Sequence, residues 1–414
     1  MITIYKYLGI FLIPIIKINI FFRIRKGKEN KNRYKERYGV SNIKRPKGNL
    51  IWIHATSVGE FKSADILINS LSKKHTILVT TTTSSAANFA IKNYKGKIIH
   101  QFIPYDIFFW VENFLNKWRP NLIIWIESDL WPLTLSLIKQ KSIKSILVNV
   151  RMSPKSFEKW KNLKSIYNQM ISCFSEIFAQ SELDKYRIEY LTNRKIKFIG
   201  NLKLATINNN KIPKTKINSK SFNKFKILML ASTHKNEEEI FIPLIKKITS
   251  SKNKYKVIIA PRHPERSASI LSILNKNHIP SKIINNSNYD KKVLILNTFG
   301  DLNRYFLISD IVFLGGSLIN KGGHNPIEAA INNCIIISGP NIFNWENIYN
   351  KMKKNRSCFI YKDIKSIEKK IMNLLKKSDS DIKKIKKRSK IFAKRKFFDS
   401  SKLFFSINKV LKNS

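Results

Sequence analysis

An α/β chain built on two parallel, doubly wound sheets is the fold class this sequence predicts, and three observations predict it. From Leu50 onward, short β-rich apolar runs alternate with amphipathic stretches, the rhythm of βαβ units and parallel sheets. That rhythm stops in a polar, Asn- and Lys-rich stretch, Ile207 to Phe225, and then restarts. At 414 residues the chain also exceeds what one compact core holds, so two domains are expected. The implied shape is two Rossmann-like halves facing a central cleft. The division is a membrane-associating segment over 1–22, a first α/β domain over 23–206, a linker over 207–225 and a second domain over 226–414 that includes a Lys-rich helical tail.

Taken in order, the first 22 residues are apolar apart from Lys6, Lys17 and small polar positions, and a dense basic tract runs directly on from Arg23 to Arg37. A membrane contact is the natural reading. The uninterrupted apolar core, Tyr7 to Ile16, is shorter than the ~20 residues that cross ~30 Å of hydrocarbon, and Pro14 interrupts it. Spanning is therefore marginal without snorkelling lysines, and a buried first helix is the alternative. A cleaved signal peptide is disfavoured, because no small-x-small site follows and the next residues are strongly basic. By the positive-inside tendency the body is expected on the cytoplasmic side. The runs LIWIH, TILVT, KIIHQF, NLIIWIE, KSILVNV, EIFAQ and KFIG supply the first sheet, and KILMLA, KVIIA, KVLIL, DIVFLG and CIIISG the second.

Composition excludes several classes. With 43% hydrophobic residues and only 13 Gly and 13 Pro, the chain is neither collagen-like nor wholly disordered. Its 77 Lys+Arg against 27 Asp+Glu give +50, a field that draws nucleic acid, anionic lipid or phosphorylated substrates. Lysine recurs beside Ile and Asn along the whole length, so most of that charge is compositional, and an acid inside an apolar segment stands out against it. Three scattered cysteines, Cys173, Cys334 and Cys358, exclude a disulfide framework and a Cys-based zinc site and fit a reducing compartment. The DxD spacing of Asp379 and Asp381 lies in the Lys-rich tail, away from every strand end, and implies no metal.

Ligands of parallel sheets bind at the carboxyl ends of the strands, so the residues after each apolar run are the candidates. After LIWIH, the turn ATSVGE places Glu60 at a helix start, where an acid either serves the helix dipole or acts as a general base of ordinary pKa. His54, inside the run, reads as a satisfied core histidine. The run NLIIWIESDLWP ends in Glu127 and Asp129; Asp129 can cap the helix that follows, whereas Glu127 has no such duty. GNLK sets Lys203 just past the last strand of the first half. In the second half, APRHPER offers Arg262, His263 and Arg266, whose guanidinium groups suit phosphate. FLGGSLINKGGHNPIEAA leads through two Gly pairs into a helix starting near Asn325, with Pro326 in its first turn and Glu328 soon after. Free amides at such a helix start bind phosphate; Glu328 serves either ribose hydroxyls or the cap. TFGDL, Thr298 to Leu302, makes a further Gly-containing turn.

Together HATSVGE, IPYD, IESDLWP, VNVRMS, GNLK, ASTHKNEEE, PRHPER, GGSLINKGGHNPIE and SGPNIFNW resemble, in order, the signature motifs of the 3-deoxy-D-manno-octulosonic acid (Kdo) transferases. The resemblance runs from the N-terminal anchor to about residue 350. It implies a GT-B glycosyltransferase that moves Kdo from CMP-Kdo onto the lipid A precursor of Gram-negative lipopolysaccharide, with no metal or cofactor. The family's proton acceptor falls on Glu60, and its transition-state-stabilising acid and lysine fall on Glu127 and Lys203. Its CMP contacts fall on Pro261 and Arg262, on Phe299, Gly300 and Asp301, and on Asn325, Pro326, Ile327 and Glu328. Two departures shorten an acid by one methylene: Gly300-Asp301-Leu302 stands for Gly-Glu-Leu, and Glu127-Ser128-Asp129 for Glu-Thr-Glu.

The implied partners are CMP-Kdo, the lipid acceptor and anionic inner-membrane lipids, with the protein held on the cytoplasmic side of the inner membrane by its N-terminal segment. A GT-B enzyme using a UDP-sugar is the nearest alternative. A nucleic-acid-binding protein is more distant, since no aromatic and basic interleaving of a recognition module is visible.

Overall fold

The computed structural model describes residues 2–127, 129–205, 222–284, 289–298, 302–395 and 397–412. Chain contacts divide it into two compact units, one of residues 1–209 with 396–414 and one of residues 210–395.

The first unit holds seven parallel strands: β1 (Leu50–His54), β2 (Thr76–Thr81), β3 (Ile99–Phe102), β4 (Leu122–Ile126), β5 (Ser145–Val150), β6 (Glu176–Ala179) and β7 (Lys197–Phe198). Their spatial order is β3-β2-β1-β4-β5-β6-β7, with Ile53 of β1 opposite Val79 of β2 and Ile124 of β4. Strand side chains alternate between faces, and here both faces are apolar. Trp52 and Trp125 join a core with the helices Phe108–Trp118 and Pro132–Gln140. Ile51, Ile53 and Ile124 join the opposite core with the helix Val58–Leu71. Burial on both sides makes the strands read as continuous apolar runs rather than alternating ones.

The second unit repeats the plan with β8 (Lys226–Thr233), β9 (Tyr255–Pro261), β10 (Ser281–Ile284), β11 (Val293–Leu296), β12 (Ile311–Leu314), β13 (Ile335–Ser338) and β14 (Cys358–Ile360). Their order is β10-β11-β9-β8-β12-β13-β14, again all parallel. Five of these strands match the apolar runs. The two edge strands, β10 and β14, do not announce themselves, because an edge strand is short and only partly covered.

One boundary needs correction. The Lys-rich tail does not all belong to the second half: the helices Ile364–Lys376 and Asp379–Ala393 stay there, but the helix Ser400–Lys412 lies in the first unit. Its Leu403 and Ile407, with Phe398 before it, are buried in the core that contains Ile51 and Ile53. An apolar stripe inside a lysine-rich helix drives this return; lysine stems tolerate the boundary of a core while Leu and Ile enter it. Most of the expected linker, 207–221 of its 207–225, lies outside the described residues.

At the N-terminus the helices Ile2–Phe11 and Ile13–Arg25 meet at 55°. Pro14, in the first turn of the second helix, brings no N–H to continue the first. No single helix among the described residues is long and apolar enough to cross a membrane, though this bent pair passes by length and composition. A buried first helix is not what the structure contains. Phe11 is 81% exposed, Ile4, Leu8, Ile15 and Ile18 are exposed as well, and among the described residues of the two helices only Ile20 is buried. The segment docks by one side: Lys6 sits 3.5 Å from the Phe108 ring centroid, and Tyr5 hydrogen-bonds to Asp106.

Candidate active site

In the first unit the candidate residues lie at the carboxyl ends of β1 and β4 and in the turn after β7. Ser57 caps the helix Val58–Leu71 by accepting from the Glu60 amide at 3.3 Å, which places Glu60 in the first turn. The Glu60 carboxylate folds back over the strand end. Its Oε2 accepts from the Thr56 amide at 2.6 Å and its Oε1 from the Ser57 hydroxyl at 3.4 Å. This reciprocal capping satisfies two amides at the helix start.

Glu127 follows β4 at φ 64°, a left-handed conformation that turns the chain out of the strand. Its Oε1 lies 2.5 Å from Lys203 Nζ. Lys203 is therefore ion-paired within the unit. Its turn, Leu202–Leu204, packs against the Val58–Leu71 helix that carries Glu60.

These charges act on one another. Burial raises the Glu60 pKa most, the Glu127 carboxylate adds to it and Asp129 further, while the Thr56 amide and the Lys203 ammonium pull it down; it comes to about 7. The ordinary carboxylate expected at Glu60 is thus corrected to one that titrates near neutrality. A buried acid has to lose its hydration shell to ionise, and here a like charge stands beside it.

Asp129 does not cap the helix Pro132–Gln140. That cap comes from Asp106, whose carboxylate accepts from the Leu133 amide at 3.0 Å and the Thr134 amide at 2.8 Å. The IPYD motif therefore serves helix capping from 27 residues upstream, through a contact that local spacing cannot reveal. Asp129 instead accepts from the Thr56 hydroxyl at 2.7 Å, and Thr56 lies 3.3 Å from His54 Nε2. His54 is fully buried, shares a hydrogen bond of 2.9 Å with Thr80, and is held down to about 4 chiefly by burial. It is a satisfied core histidine.

The second unit gathers the other candidates at the ends of β8, β9 and β12. Pro261 ends β9, and the Arg262 amide donates to the Thr233 carbonyl at 2.9 Å. The Arg262 side chain is exposed and makes no hydrogen bond or ion pair among the described residues. Arg266 is structural: its guanidinium forks onto both oxygens of buried Glu238 at 2.9 Å each. Glu237 is also buried and accepts three backbone amides, from His234, Gly316 and Leu318. The acids of ASTHKNEEE thus tie the strand ends together.

The helix start at Asn325 is less open to an anion than its sequence implies. Pro326 carries no N–H, and the Ile327 amide is taken by the Asn325 side chain at 3.0 Å. The Asn325 amide group also donates to Glu328 Oε1 at 3.3 Å. Of the first three helical positions, one has no amide N–H and one is capped by the Asn325 side chain. Phe299, Gly300 and Asp301 lie outside the described residues.

Motif reading did not single out the pair His234 and His324. Their Nε2 atoms are 3.1 Å apart and their rings within 6° of parallel. The Ser232 carbonyl, turned by a φ of 57°, accepts a hydrogen bond from His324, and a Cβ on Gly315 would collide with that same carbonyl oxygen at 2.4 Å. Burial first, then Arg262 and His234, holds His324 down to about 4. The pair is neutral near pH 7. Among the described residues no group of three His, Cys, Asp or Glu side chains is placed to hold a metal ion.

Two doubly wound units with candidate residues at the strand ends fit a GT-B-like architecture, and comparison with known structures agrees. A glycosyltransferase from Rickettsia africae matches over 89% of this chain and 100% of its own, with a TM-score of 0.61 at 15% identity. UDP-GlcNAc 2-epimerase from Neisseria meningitidis matches over 87% of this chain and 100% of its own, with a TM-score of 0.58 at 11% identity. At such identities the likeness establishes the fold alone.

Sequence comparison goes further. Residues 32–206 match the family described as 3-Deoxy-D-manno-octulosonic-acid transferase (kdotransferase). The 3-deoxy-D-manno-octulosonic acid transferase of Rickettsia bellii is 37% identical over 356 residues, 83% of each chain. That of Haemophilus influenzae is 29% identical over 81% of each. The chain belongs to the Kdo transferase family and is a glycosyltransferase.

Proposed function

We propose that this enzyme transfers Kdo from CMP-Kdo to the lipid A precursor, releasing CMP, in lipopolysaccharide core assembly. The observation that carries the reading is the Glu60, Glu127 and Lys203 cluster, in which a half-buried carboxylate titrates near 7 beside an ion-paired acid and lysine. A general base works best when its pKa lies near the operating pH. As the acceptor hydroxyl oxygen bonds to the anomeric carbon of Kdo, the Glu60 carboxylate takes its proton and the bond to the CMP phosphate breaks. Lys203 supplies positive charge for the acidic sugar, and Glu127 holds that ammonium in place. Pro261, Arg262, Phe299, Gly300, Asp301 and the Asn325 to Glu328 segment are assigned to CMP, with the exposed Arg262 guanidinium, which has no partner among the described residues, suited to its phosphate.

An acceptor with acyl chains and phosphates accounts for the exposed apolar stripe of the N-terminal helices and the basic tract after it. Each Lys or Arg near an anionic membrane surface contributes about 1 kcal/mol. We place the protein on the cytoplasmic side of the inner membrane, held by residues 1–22. The test is product analysis after incubating the full chain with tetraacylated lipid A precursor and CMP-Kdo generated in situ. The reading predicts a Kdo-bearing lipid and free CMP. Transfer from a UDP-sugar instead, or no lipid product, contradicts it.

A further inference from the structure

The motif VNVRMS supplies none of the residues assigned above, yet its Asn149 lies at the centre of the cluster. Asn149 is fully buried in β5 and has a φ of 62°, the left-handed region that Asn tolerates better than most residues. The register of β5 against β6 shifts between Val148 and Val150, so the residue is extruded from the ladder as a bulge. The neighbouring strand β4 ends at Ile126 without a bulge, and the next residue, Glu127, turns the chain at φ 64° while its amide donates to the Val148 carbonyl at 2.9 Å. Two adjacent strands thus carry left-handed residues side by side at their carboxyl ends.

The bulge aims the Asn149 side chain along the sheet end. Its Oδ1 accepts from the Leu202 amide at 2.8 Å, and its Nδ2 donates to Glu127 Oε1 at 3.3 Å. The orientation of the amide is fixed by chemistry: Leu202 N–H can only donate, so the oxygen faces it and the NH2 faces the carboxylate. Glu127 Oε1 is the same atom that pairs with Lys203. One buried amide therefore grips the acid directly and the lysine through the backbone of the preceding residue.

The other side of the Lys203 turn is held by the returning C-terminal segment. Asn201 donates its amide to the Phe397 carbonyl at 3.2 Å and accepts from the Lys203 amide at 3.0 Å, and Gly200 bridges Phe398. A Cβ on Gly200 would lie 1.9 Å from the Phe397 carbonyl oxygen. The turn is thus held on that flank by backbone contacts and the Asn201 side chain, and on the other Asn149 couples its backbone to Glu127, the acid that Lys203 itself pairs with.

We infer that Asn149 is a positioning residue for Kdo transfer, holding the Glu127 carboxylate and the Lys203 turn in one register through its two hydrogen bonds. The inference rests on the assignment of Glu127 and Lys203 to the reaction. A shift of about 1 Å in a catalytic group costs on the order of a hundredfold in rate, so a buried amide is needed where flexible Glu and Lys side chains must stay in register.

Two variants separate its side chain from its backbone. N149G tolerates the left-handed backbone and removes both hydrogen bonds. N149D keeps shape and backbone preference but turns an acceptor toward Glu127, adding negative charge to a cluster that already holds Glu60, Glu127 and Asp129 against Lys203. Each full-chain variant is assayed for Kdo transfer against pH, beside E127Q and with thermal unfolding as a folding control. The expected results are a kcat lower by roughly 10- to 100-fold in both variants, with the KM for the donor within about threefold. The acidic limb of the profile is expected to move to higher pH in N149D and to stay in place in N149G. Wild-type kcat in both, with E127Q impaired, overturns the inference alone. E127Q at the wild-type rate overturns the parent assignment and the inference with it. A rate loss in N149G that tracks lost folded fraction, with no limb shift in N149D, leaves Asn149 a structural residue and also overturns it.

Discussion

In each unit the first strand lies between the second and a later one, and the two units put opposite charge at the ends of these strands. In the first, β2-β1-β4-β5 presents Glu60, Glu127 and Asp129 around one lysine. In the second, the equivalent β9-β8-β12-β13 presents Arg262 and a neutral histidine pair, while its acids, Glu237 and Glu238, are turned inward to backbone amides and Arg266. A parallel sheet concentrates chain turns at its carboxyl edge, and the residues at those turns decide whether the edge carries clustered acids or cations and neutral imidazoles. In a chain of net charge +50, the acids that remain are informative in both units. Those of the first unit raise a pKa, and those of the second build loops.

The largest effect belongs to Glu60. E60Q should retain the fold and CMP binding yet lose about 10²- to 10⁴-fold in transfer rate, measured as lipid product per unit time; a variant keeping more than about a tenth of the wild-type turnover removes the base from the account. In the second unit, Arg262→Ala should weaken CMP binding by about 1.5 to 3 kcal/mol, as for a lost charge-assisted hydrogen bond. Isothermal titration with CMP reads this directly, and unchanged affinity takes Arg262 out of the nucleotide site.

A smaller effect concerns stability. The Glu60 pKa is raised from 4.5 to about 7 on folding, so its contribution favours the folded state below pH 4.5 and is lost as pH rises through 7. E60Q should therefore unfold at a higher temperature than wild type at pH 8 and at a similar temperature at pH 4. Equal differences at both pH values would mean that Glu60 is not strained in the folded state. Last, deletion of residues 1–22 should move the protein into the soluble fraction while leaving activity on detergent-dispersed acceptor; a truncated chain with no thermal transition would mean that the segment is needed for folding.

Much of the sheet architecture was legible because its strands are buried on both faces, so LIWIH or KVIIA stand out as unbroken apolar runs. Edge strands such as SKII and CFI are short and half-covered and carry no such signal. Glu60, Glu127 and Lys203 were placed at strand ends by the same reading. Their mutual effects were not, since the pKa of Glu60 depends on a desolvation and a neighbour 67 residues away that only the assembled sheet provides. The cap supplied by Asp106, the Asn149 bridge and the return of Ser400–Lys412 share that character. Each is a contact between segments distant in sequence, made by a residue whose local pattern is ordinary.

If Glu60 is a base whose pKa is raised chiefly by burial and tuned by Glu127 and Lys203, the kcat profile against pH shows it most directly. Wild type should show an acidic limb near pH 7. E127Q, which removes a repelling carboxylate, should move the limb of its residual activity to lower pH, and K203M, which removes an attracting ammonium, should move it to higher pH. A limb that stays in place in both variants, or lies near the pKa of an ordinary glutamate, contradicts the account.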